Sequence, residues 1–338
     1  MSGKSVRKQR GVALLVVLIL LVMMSALAAK ISQQFCRNLQ KIRYQVSQQQ
    51  LRWAIQSQQK TIEGLLQTYA SGESKGLSPK GEWTEPVETE GEHYTVVSQI
   101  EDAQTCFNVN NLLAADPTPA VQTAGALPEK PVKARIVEQL LTDSGISAGD
   151  AEEIYQQLMD YLDGDTTTAK EGMETDAWAG VEPARLPANQ MMRTPGELKL
   201  LPAFPVAAYG RVSKVLCALP DTASKVDVNT LTQEQAPLLA ALFIGSLSED
   251  EAARLIASRP EEGWESMEAF QKALETNYPQ TKDALKQVQA FLAVNSHYFR
   301  VNSTGNTDDL TLRVVSQLHV DDEAGKVITW QRRYRMVE

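Results

Sequence analysis

The sequence lacks the patterns that usually mark an enzyme. It has 338 residues but only three histidines, His93, His297 and His319, each in a strand-like stretch. None belongs to an H-E-x-x-H motif, and no G-x-S-x-G, Walker or dinucleotide-binding spacing occurs elsewhere. We therefore expect the histidines to be half-buried sheet residues and predict that the protein is not an enzyme. A metal-dependent hydrolase is the alternative within the enzymes.

Cysteine is also scarce. Cys36, Cys106 and Cys217 form no C-x-x-C pair and have no metal-ligand spacing, which argues against a zinc cluster or a dithiol redox site. The formal net charge of −9 argues against a nucleic-acid backbone as partner. Hydrophobic residues make up 43% of the chain, which is enough for a globular core.

Charge is absent from residues 12–29, which are almost wholly apolar. As a helix that rises about 1.5 Å per residue, this stretch nearly spans a hydrocarbon core of about 30 Å. Basic residues before it would keep the N-terminus in the cytoplasm; they are Lys4, Arg7, Lys8 and Arg10. We predict a single-pass protein of the inner membrane, anchored through residues 12–29, with the bulk of the chain in the periplasm.

Proline and glycine are absent from residues 12–63, so one helix can continue far beyond the membrane. Its apolar residues recur at helical spacing, namely Ile31, Phe35, Leu39, Ile42 and Val46. Cleavage of a secretory signal at the Ala-x-Ala site Ala26-Leu27-Ala28 would discard the apolar half, whereas a cut between Gly11 and Val12 would keep it. The amphipathic continuation favours the cut that retains the helix.

A basic leader ending in Gly11, an apolar helix and an amphipathic continuation together resemble the N-terminus of type IV pilins and type II secretion pseudopilins. Most members of that class carry Glu at the fifth mature position, which is Val16 here. In lacking this carboxylate the chain resembles the K-type minor pseudopilins (general secretion pathway protein K family), which are also unusually large. The resemblance covers essentially the whole chain. It implies that a prepilin peptidase cuts between Gly11 and Val12 and that the new amine is methylated.

The remaining sequence predicts an α+β fold. Strand-like stretches occur at 93–100, 106–110, 298–302, 310–320 and 327–335. Helical patterns lie between them at 132–144, 147–162, 195–201, 206–218, 231–245, 248–258, 264–276 and 279–294. This order predicts a pilin-like long N-terminal helix plus a small antiparallel sheet, interrupted by a large all-α inserted domain. The predicted segments are the leader 1–11, the transmembrane and amphipathic stalk helix 12–72, the first part of the sheet 80–110, the insertion 111–294 and the C-terminal strands 295–338.

The cysteines allow one long-range pairing. In an oxidising periplasm Cys106 and Cys217 could form a disulfide, and closing a loop of about 110 residues would contribute roughly 4–5 kcal/mol. Three buried free thiols are the alternative. Cys36 lies on the stalk helix, and we expect it to be unpaired.

One short pattern occurs twice, at residues 107–112 and 226–231. Each copy places a polar N-cap before a leucine, and helix capping alone could explain the likeness. The second copy continues like a helix-hairpin-helix module, which holds phosphate through a Gly-Ile-Gly turn. Here residues 244–247 contain a single glycine, so the set of phosphate-binding amides is incomplete, and Glu249, Asp250 and Glu251 follow. We therefore predict no nucleic-acid binding and a compact helical unit with a protein-binding face.

Nine acidic residues and one base lie between Asp150 and Asp176. Asp163, Asp165, Thr167 and Glu174 match positions 1, 3, 5 and 12 of a calcium loop, although position 6 is not glycine. A solvated acidic loop is the alternative. The K-type resemblance implies calcium in this domain, and we expect a looser cage for two ions. The candidate ligands are Asp160, Asp163, Asp165, Thr167, Glu171, Glu174 and Asp176.

The resemblance implies a structural minor pseudopilin at the tip of the type II secretion pseudopilus. It would initiate or cap assembly with minor pseudopilins of the I and J types, for the export of folded proteins across the outer membrane. Other pseudopilins and the secreted proteins themselves are further candidate partners. The alternative function is a periplasmic, membrane-tethered adaptor that binds exported proteins and is not part of a fibre.

Overall fold

A long helix precedes the folded head. The computed structural model describes residues 9–70, 77–115, 130–165, 167–168, 170, 172–321 and 325–337. Helix α1 runs from Gln9 to Ala70 without a break, which confirms the long helix predicted from the absence of proline and glycine. Within the described chain it alone is long and apolar enough to cross a membrane, and none of its most apolar stretch is buried in the protein.

The head contains a five-stranded sheet and a helical insertion. The strands, in chain order, are β1 Val87–Gly91, β2 Tyr94–Asp102, β3 Phe107–Asn108, β4 Leu216–Cys217, β5 Val226–Asp227, β6 Leu292–Ala293, β7 Tyr298–Asn306, β8 Thr311–Asp321 and β9 Lys326–Val337. The shorter helices are α2 Val132–Asp143, α3 Ala148–Leu162, α4 Thr175–Ala179, α5 Tyr209–Val212, α6 Ala236–Leu242, α7 Glu249–Ala257, α8 Met267–Asn277 and α9 Lys282–Val288.

The main sheet is antiparallel with the order β1-β2-β7-β8-β9. The chain leaves this sheet after β2 and returns to it at β7, so the helical region is an insertion between two neighbouring strands. A long N-terminal helix, an antiparallel sheet and an inserted helical region confirm the predicted α+β class.

One face of the sheet packs against the second half of α1. The alternation of apolar and polar residues along β2, β7 and β8 places every second side chain in this layer. Helix and sheet approach closely at Gly305 of β7, where an added Cβ would lie 3.1 Å from Cδ2 of Leu51. The buried helix residues in this layer are Leu51, Ala54, Ile55, Ile62 and Leu66.

Several local expectations were wrong. Residues 87–91 form an edge strand, although no strand was predicted before residue 93, because the backbone of this glutamate-rich segment pairs with β2. Only Phe107 and Asn108 of the predicted strand 106–110 are extended, since the Asn108 side chain accepts a hydrogen bond from the Asn110 backbone and starts a 3-10 turn. The helix predicted over 206–218 ends at Val212, and the chain then forms β4.

The insertion is not purely helical. Two short parallel strand pairs, β3–β4 and β5–β6, join segments that are far apart in sequence. Their two-residue length gives no periodic pattern that sequence analysis could detect. Cys106 directly precedes β3 and Cys217 is the last residue of β4; they form a disulfide with their Cα atoms 5.8 Å apart, while Cys36 is free and exposed on α1.

Candidate metal site

The acidic loop between α3 and α4 is held at both ends by packing. Asp163 directly follows α3, and Glu174 directly precedes α4. Trp178 of α4 is fully buried with its ring centroid 5.6 Å from that of Tyr161 on α3. Its indole N–H donates to the Met173 carbonyl at 2.9 Å. The contact between the Trp178 and Tyr161 rings holds α4 against the end of α3.

Three carboxylates converge in this loop. Asp163, Asp165 and Glu174 each offer an oxygen within 4.8 Å of the others, and we call them the carboxylate cluster. Glu174 is buried, and neither of its carboxylate oxygens has a hydrogen-bond partner among the described residues; the same holds for Oδ1 of Asp163. The backbone N–H of Thr167 donates to Oδ1 of Asp165 at 2.6 Å.

The electrostatics of the cluster are unfavourable without a cation. Burial raises the pKa of Asp163, and the charges of Asp165 and Asp160 raise it further. Burial likewise raises the pKa of Glu174, with added repulsion from the same acidic neighbours. Calcium takes six to eight oxygen ligands and would give the orphaned oxygens a partner. The donor set therefore fits a calcium ion.

The predicted ligands are not all placed together. Three of the seven form the carboxylate cluster. Asp160 is buried on the last turn of α3, and its charge acts on both Asp163 and Glu174. Thr167 is exposed beside the cluster, Asp176 is exposed on the first turn of α4, and Glu171 lies outside the described residues.

Comparisons with known proteins assign the family. Two family models, both described as type II secretion system (T2SS), protein K, match residues 105–221 and 226–291. The type II secretion system protein K of Pectobacterium carotovorum subsp. carotovorum is 30% identical over 329 residues, which cover 97% of each chain. The chain belongs to the type II secretion system protein K family. The family's protein from Klebsiella pneumoniae is 32% identical over 301 residues, 86% of each chain.

Among solved structures, the chain is similar to the crystal structure of the GspK-GspI-GspJ complex from enterotoxigenic Escherichia coli. The TM-score is 0.72 at 24% sequence identity, and the match covers 87% of this chain and 99% of that chain. This likeness supports the α+β fold of the K-family chain.

In the first region that matches a family model, the side chain of Asn110 holds two backbone segments together, and we call this arrangement an asparagine clamp. Oδ1 of Asn110 accepts the Met192 backbone N–H at 2.8 Å. Its Nδ2 donates to the carbonyls of Met192 at 2.9 Å and Leu219 at 2.7 Å. The fully buried side chain therefore fixes two distant backbone segments at once.

The second region has the same clamp. Oδ1 of Asn229 accepts the Trp264 backbone N–H at 2.8 Å, and its Nδ2 donates to the carbonyls of Trp264 at 3.0 Å and Val294 at 3.1 Å. Asn110 and Asn229 are equivalent positions of the pattern repeated in the sequence. Helix capping alone does not account for the pattern, because each copy also contains an asparagine that joins two distant backbone segments. We call the two regions the first and the second unit.

The two units differ where the candidate metal site lies. Each contains a helix hairpin whose turn has a glycine at positive φ, Gly145 at 84° between α2 and α3 and Gly245 at 83° between α6 and α7. In the second unit, residues 258–263 connect the hairpin to the clamped Trp264. In the first unit, residues 163–191 make the corresponding connection to Met192. The carboxylate cluster therefore belongs to an elaboration of the first unit.

A second acidic site was missed by the sequence analysis. The carboxyl group of Asp102, at the end of β2, interacts electrostatically with that of the fully buried Asp227 of β5. Asp102 accepts hydrogen bonds from the Gln104 N–H at 2.7 Å and from the hydroxyls of Thr230 and Ser296. Burial and the charge of Asp102 raise the pKa of Asp227 well above its ordinary value. This pair joins the sheet to the insertion.

Proposed function

We propose that this chain is a minor pseudopilin at the tip of the type II secretion pseudopilus. It would initiate or cap assembly there with minor pseudopilins of the I and J types, for export of folded proteins across the outer membrane. The observation that carries the proposal is a folded head on a 62-residue helix whose apolar half finds no partner within the described chain. Such a helix needs lipid and sister helices to cover it.

Processing follows from the same helix. Gly11 and Val12 lie within α1, and the Val12 side chain is 65% exposed. Cleavage between them by a prepilin peptidase, followed by methylation of the new amine, would leave the apolar helix as the N-terminus in the inner membrane. Val16 at the fifth mature position avoids placing an unpaired carboxylate at membrane depth, which costs about 2.5–3.5 kcal/mol. The resemblance implies that the glutamate of other members meets the N-terminal amine of the subunit ahead in the fibre. A first subunit has no subunit ahead of it and therefore does not need that carboxylate.

The position of the insertion supports a tip role. Val96 of β2 clusters with Leu51, whereas Ile100 of the same strand clusters with Ile62. Strand β2 therefore runs along α1 away from the membrane half, and the chain enters the insertion at the membrane-distal end of the sheet. A bulky domain at that end leaves little room for another subunit above it.

Calcium has an architectural role in this proposal. The carboxylate cluster, with Asp160 beside it, would hold the ion, and the ion would neutralise a loop whose acidic side chains repel one another. The proposal includes a second ion, for which Thr167, Glu171 and Asp176 are the remaining candidate ligands. The loop follows α3 in the first unit, so an ordered loop would set the surface of that unit. The proposed role includes no catalysis.

The partner assignment is supported by the similar crystal structure, which contains a GspK protein together with GspI and GspJ. The adaptor function is the second candidate, because the helical insertion offers a large surface to exported proteins. Co-expression of the full-length chain with the I- and J-type subunits of its own system, followed by native mass measurement in detergent, separates the two. A complex with both subunits is expected. An adaptor would bind an exported protein and neither subunit.

A further inference from the structure

We propose that the part of α1 just beyond the membrane span binds anionic phospholipid headgroups in the periplasmic leaflet of the inner membrane. This inference rests on the proposed function, because it requires residues 12–29 to lie in lipid. Four cations follow that span on the same helix, and we call them the stalk cations. They are Lys30, Arg37, Lys41 and Arg43.

The stalk cations meet no opposite charge within the described chain. All four are exposed, and none forms an ion pair with a described residue. The first acidic residue of the sequence is Glu63, so every acidic side chain lies farther along the chain than the stalk cations. Like charges four residues apart on a helix, such as Arg37 and Lys41, repel each other. An anionic surface would relieve this repulsion.

The geometry of α1 places the stalk cations near the membrane surface. The helix runs unbroken from Gln9 to Ala70 and rises about 1.5 Å per residue. With the hydrocarbon edge at Ala29, the Cα of Arg37 lies about 12 Å beyond it in an upright helix, and that of Lys41 about 18 Å. The headgroup layer takes up about 5–7 Å of that height. Helical side chains point toward the helix N-terminus, which is the membrane side here, so these long side chains extend toward the headgroups.

Position and charge together identify anionic lipid as the occupant. The stalk cations continue the membrane span in the same helix, so headgroups surround them whether or not another subunit is bound. Anionic headgroups attract lysine and arginine within about a Debye length of the surface, roughly 8–10 Å. Lys30, Arg37 and Lys41 are spaced by seven and four residues, so they lie along one helix face. The exposed apolar residues Phe35 and Ile42 lie on another face, which is left for sister helices.

The same lipids would repel the head. All 42 acidic residues of the sequence lie at or beyond Glu63, in the last turns of α1 and in the head. A head that tilted to within a Debye length of an anionic leaflet would therefore be pushed away from it. Attraction of the stalk and repulsion of the head favour the same upright orientation, which keeps the head accessible to partner subunits.

The test uses the full-length chain in phosphatidylcholine vesicles that contain a minor share of nitroxide-labelled lipid. The nitroxide is on an acyl chain, and the headgroup is either phosphatidylglycerol or phosphatidylcholine. A fluorophore on Cys36, the free cysteine of the stalk, reports which lipid lies beside the cations, because nitroxide quenching acts only at short range. The phosphatidylglycerol probe should quench about threefold more than the phosphatidylcholine probe at low salt. This ratio should approach one as salt is raised.

The decisive variant is Arg37→Gln/Lys41→Gln. It removes half of the stalk cations, glutamine preserves the helix, and the quenching ratio should fall by about twofold or more. The matched control is Arg52→Gln/Lys60→Gln, which makes the same change in net charge at exposed positions of the same helix, about 35 Å or more from the hydrocarbon edge. Its quenching ratio should equal that of the unaltered chain.

Three results would overturn the inference alone: equal quenching by the two probes, a ratio that Arg37→Gln/Lys41→Gln leaves unchanged, or an equal fall in both variants. Absence of quenching by either probe would show that the helix is not inserted, and it would overturn the membrane anchor of the proposed function as well. The cations would instead bind a sister subunit if the two probes quench equally while Arg37→Gln/Lys41→Gln abolishes salt-sensitive capture of the I- or J-type subunit.

Discussion

The buried Asp102–Asp227 pair should make the stability of the head depend on pH. Oδ2 of Asp227 is buried without a hydrogen-bond partner among the described residues, whereas Asp102 accepts three hydrogen bonds. We therefore expect the pair to hold a proton in the folded state and expect that proton on Asp227. The positive charge of Arg259 acts on Asp227, and the Arg259 guanidinium donates to the Leu231 carbonyl at 2.8 Å.

The sign of the effect follows from the raised pKa values of both acids. Burial raises the pKa of Asp102 and Asp227 above the ordinary value of 3.8, so the folded state holds a proton that the unfolded chain releases. The stabilising contribution is fully present below pH 3.8 and is lost as pH rises through the raised native pKa. The wild-type chain should therefore lose stability as pH rises from 3.8 through the raised native pKa of the pair.

Asp227→Asn isolates this contribution. An amide can donate to Asp102 without a titrating proton, and its oxygen can still accept the Asn229 N–H, now 2.8 Å from Oδ1. At pH 8 the variant should be more stable than wild type by about 1–3 kcal/mol, the cost of a poorly satisfied buried polar group. At pH 5 the difference should shrink. Chemical denaturation of the full-length chain in detergent across this range measures the change.

The matched control is Asp309→Asn, which removes one charge from an exposed turn. It should shift stability by less than about 0.5 kcal/mol at every pH. The reasoning is refuted if Asp227→Asn is less stable than wild type at pH 8, or if the two proteins differ equally at pH 5 and pH 8.

Three further outcomes test other parts of the structure. EDTA should lower the melting temperature and calcium should restore it, because calcium at a hundredfold excess over Kd stabilises the folded state by about 2.7 kcal/mol. Asp163→Asn should abolish this response, and an unchanged melting temperature would contradict calcium binding. Replacing Cys106 and Cys217 with serine should cost about 4–5 kcal/mol in denaturant unfolding, because the disulfide closes a loop of 111 residues, whereas Cys36→Ser should cost almost nothing. Gly305→Val should destabilise the head by about 1–3 kcal/mol because its side chain would press on α1.

Local patterns were sufficient to predict the elements with strong periodicity. The uninterrupted stalk, the hairpin of β8 and β9 and the helices at 132–143 and 148–162 all follow from regular spacing of apolar residues. Strand β1 was missed because Glu88 and Glu90 are poor strand formers, and an exposed edge tolerates them. The sequence spacing of Asp163, Asp165 and Glu174 also indicated the carboxylates that converge in the fold.

Long-range contacts explain what sequence reasoning could not find. The clamp by Asn110 reaches Met192, 82 residues away, and Asp102 meets Asp227 only because the insertion folds back on the sheet. The periodic spacing of residues within one segment does not indicate which distant residues it contacts. The repeated pattern at 107–112 and 226–231 was visible, but its meaning depends on backbone partners that lie far along the chain.

The retained helix is tested most directly by the intact mass and N-terminal sequence of the chain isolated from bacterial membranes. A chain that begins at Val12 with a methylated amine is the predicted result. A chain that begins at Ala29 would show that the apolar helix is discarded, and one that begins at Met1 would show a plain uncleaved anchor. Either of those results would contradict assembly as a pseudopilin.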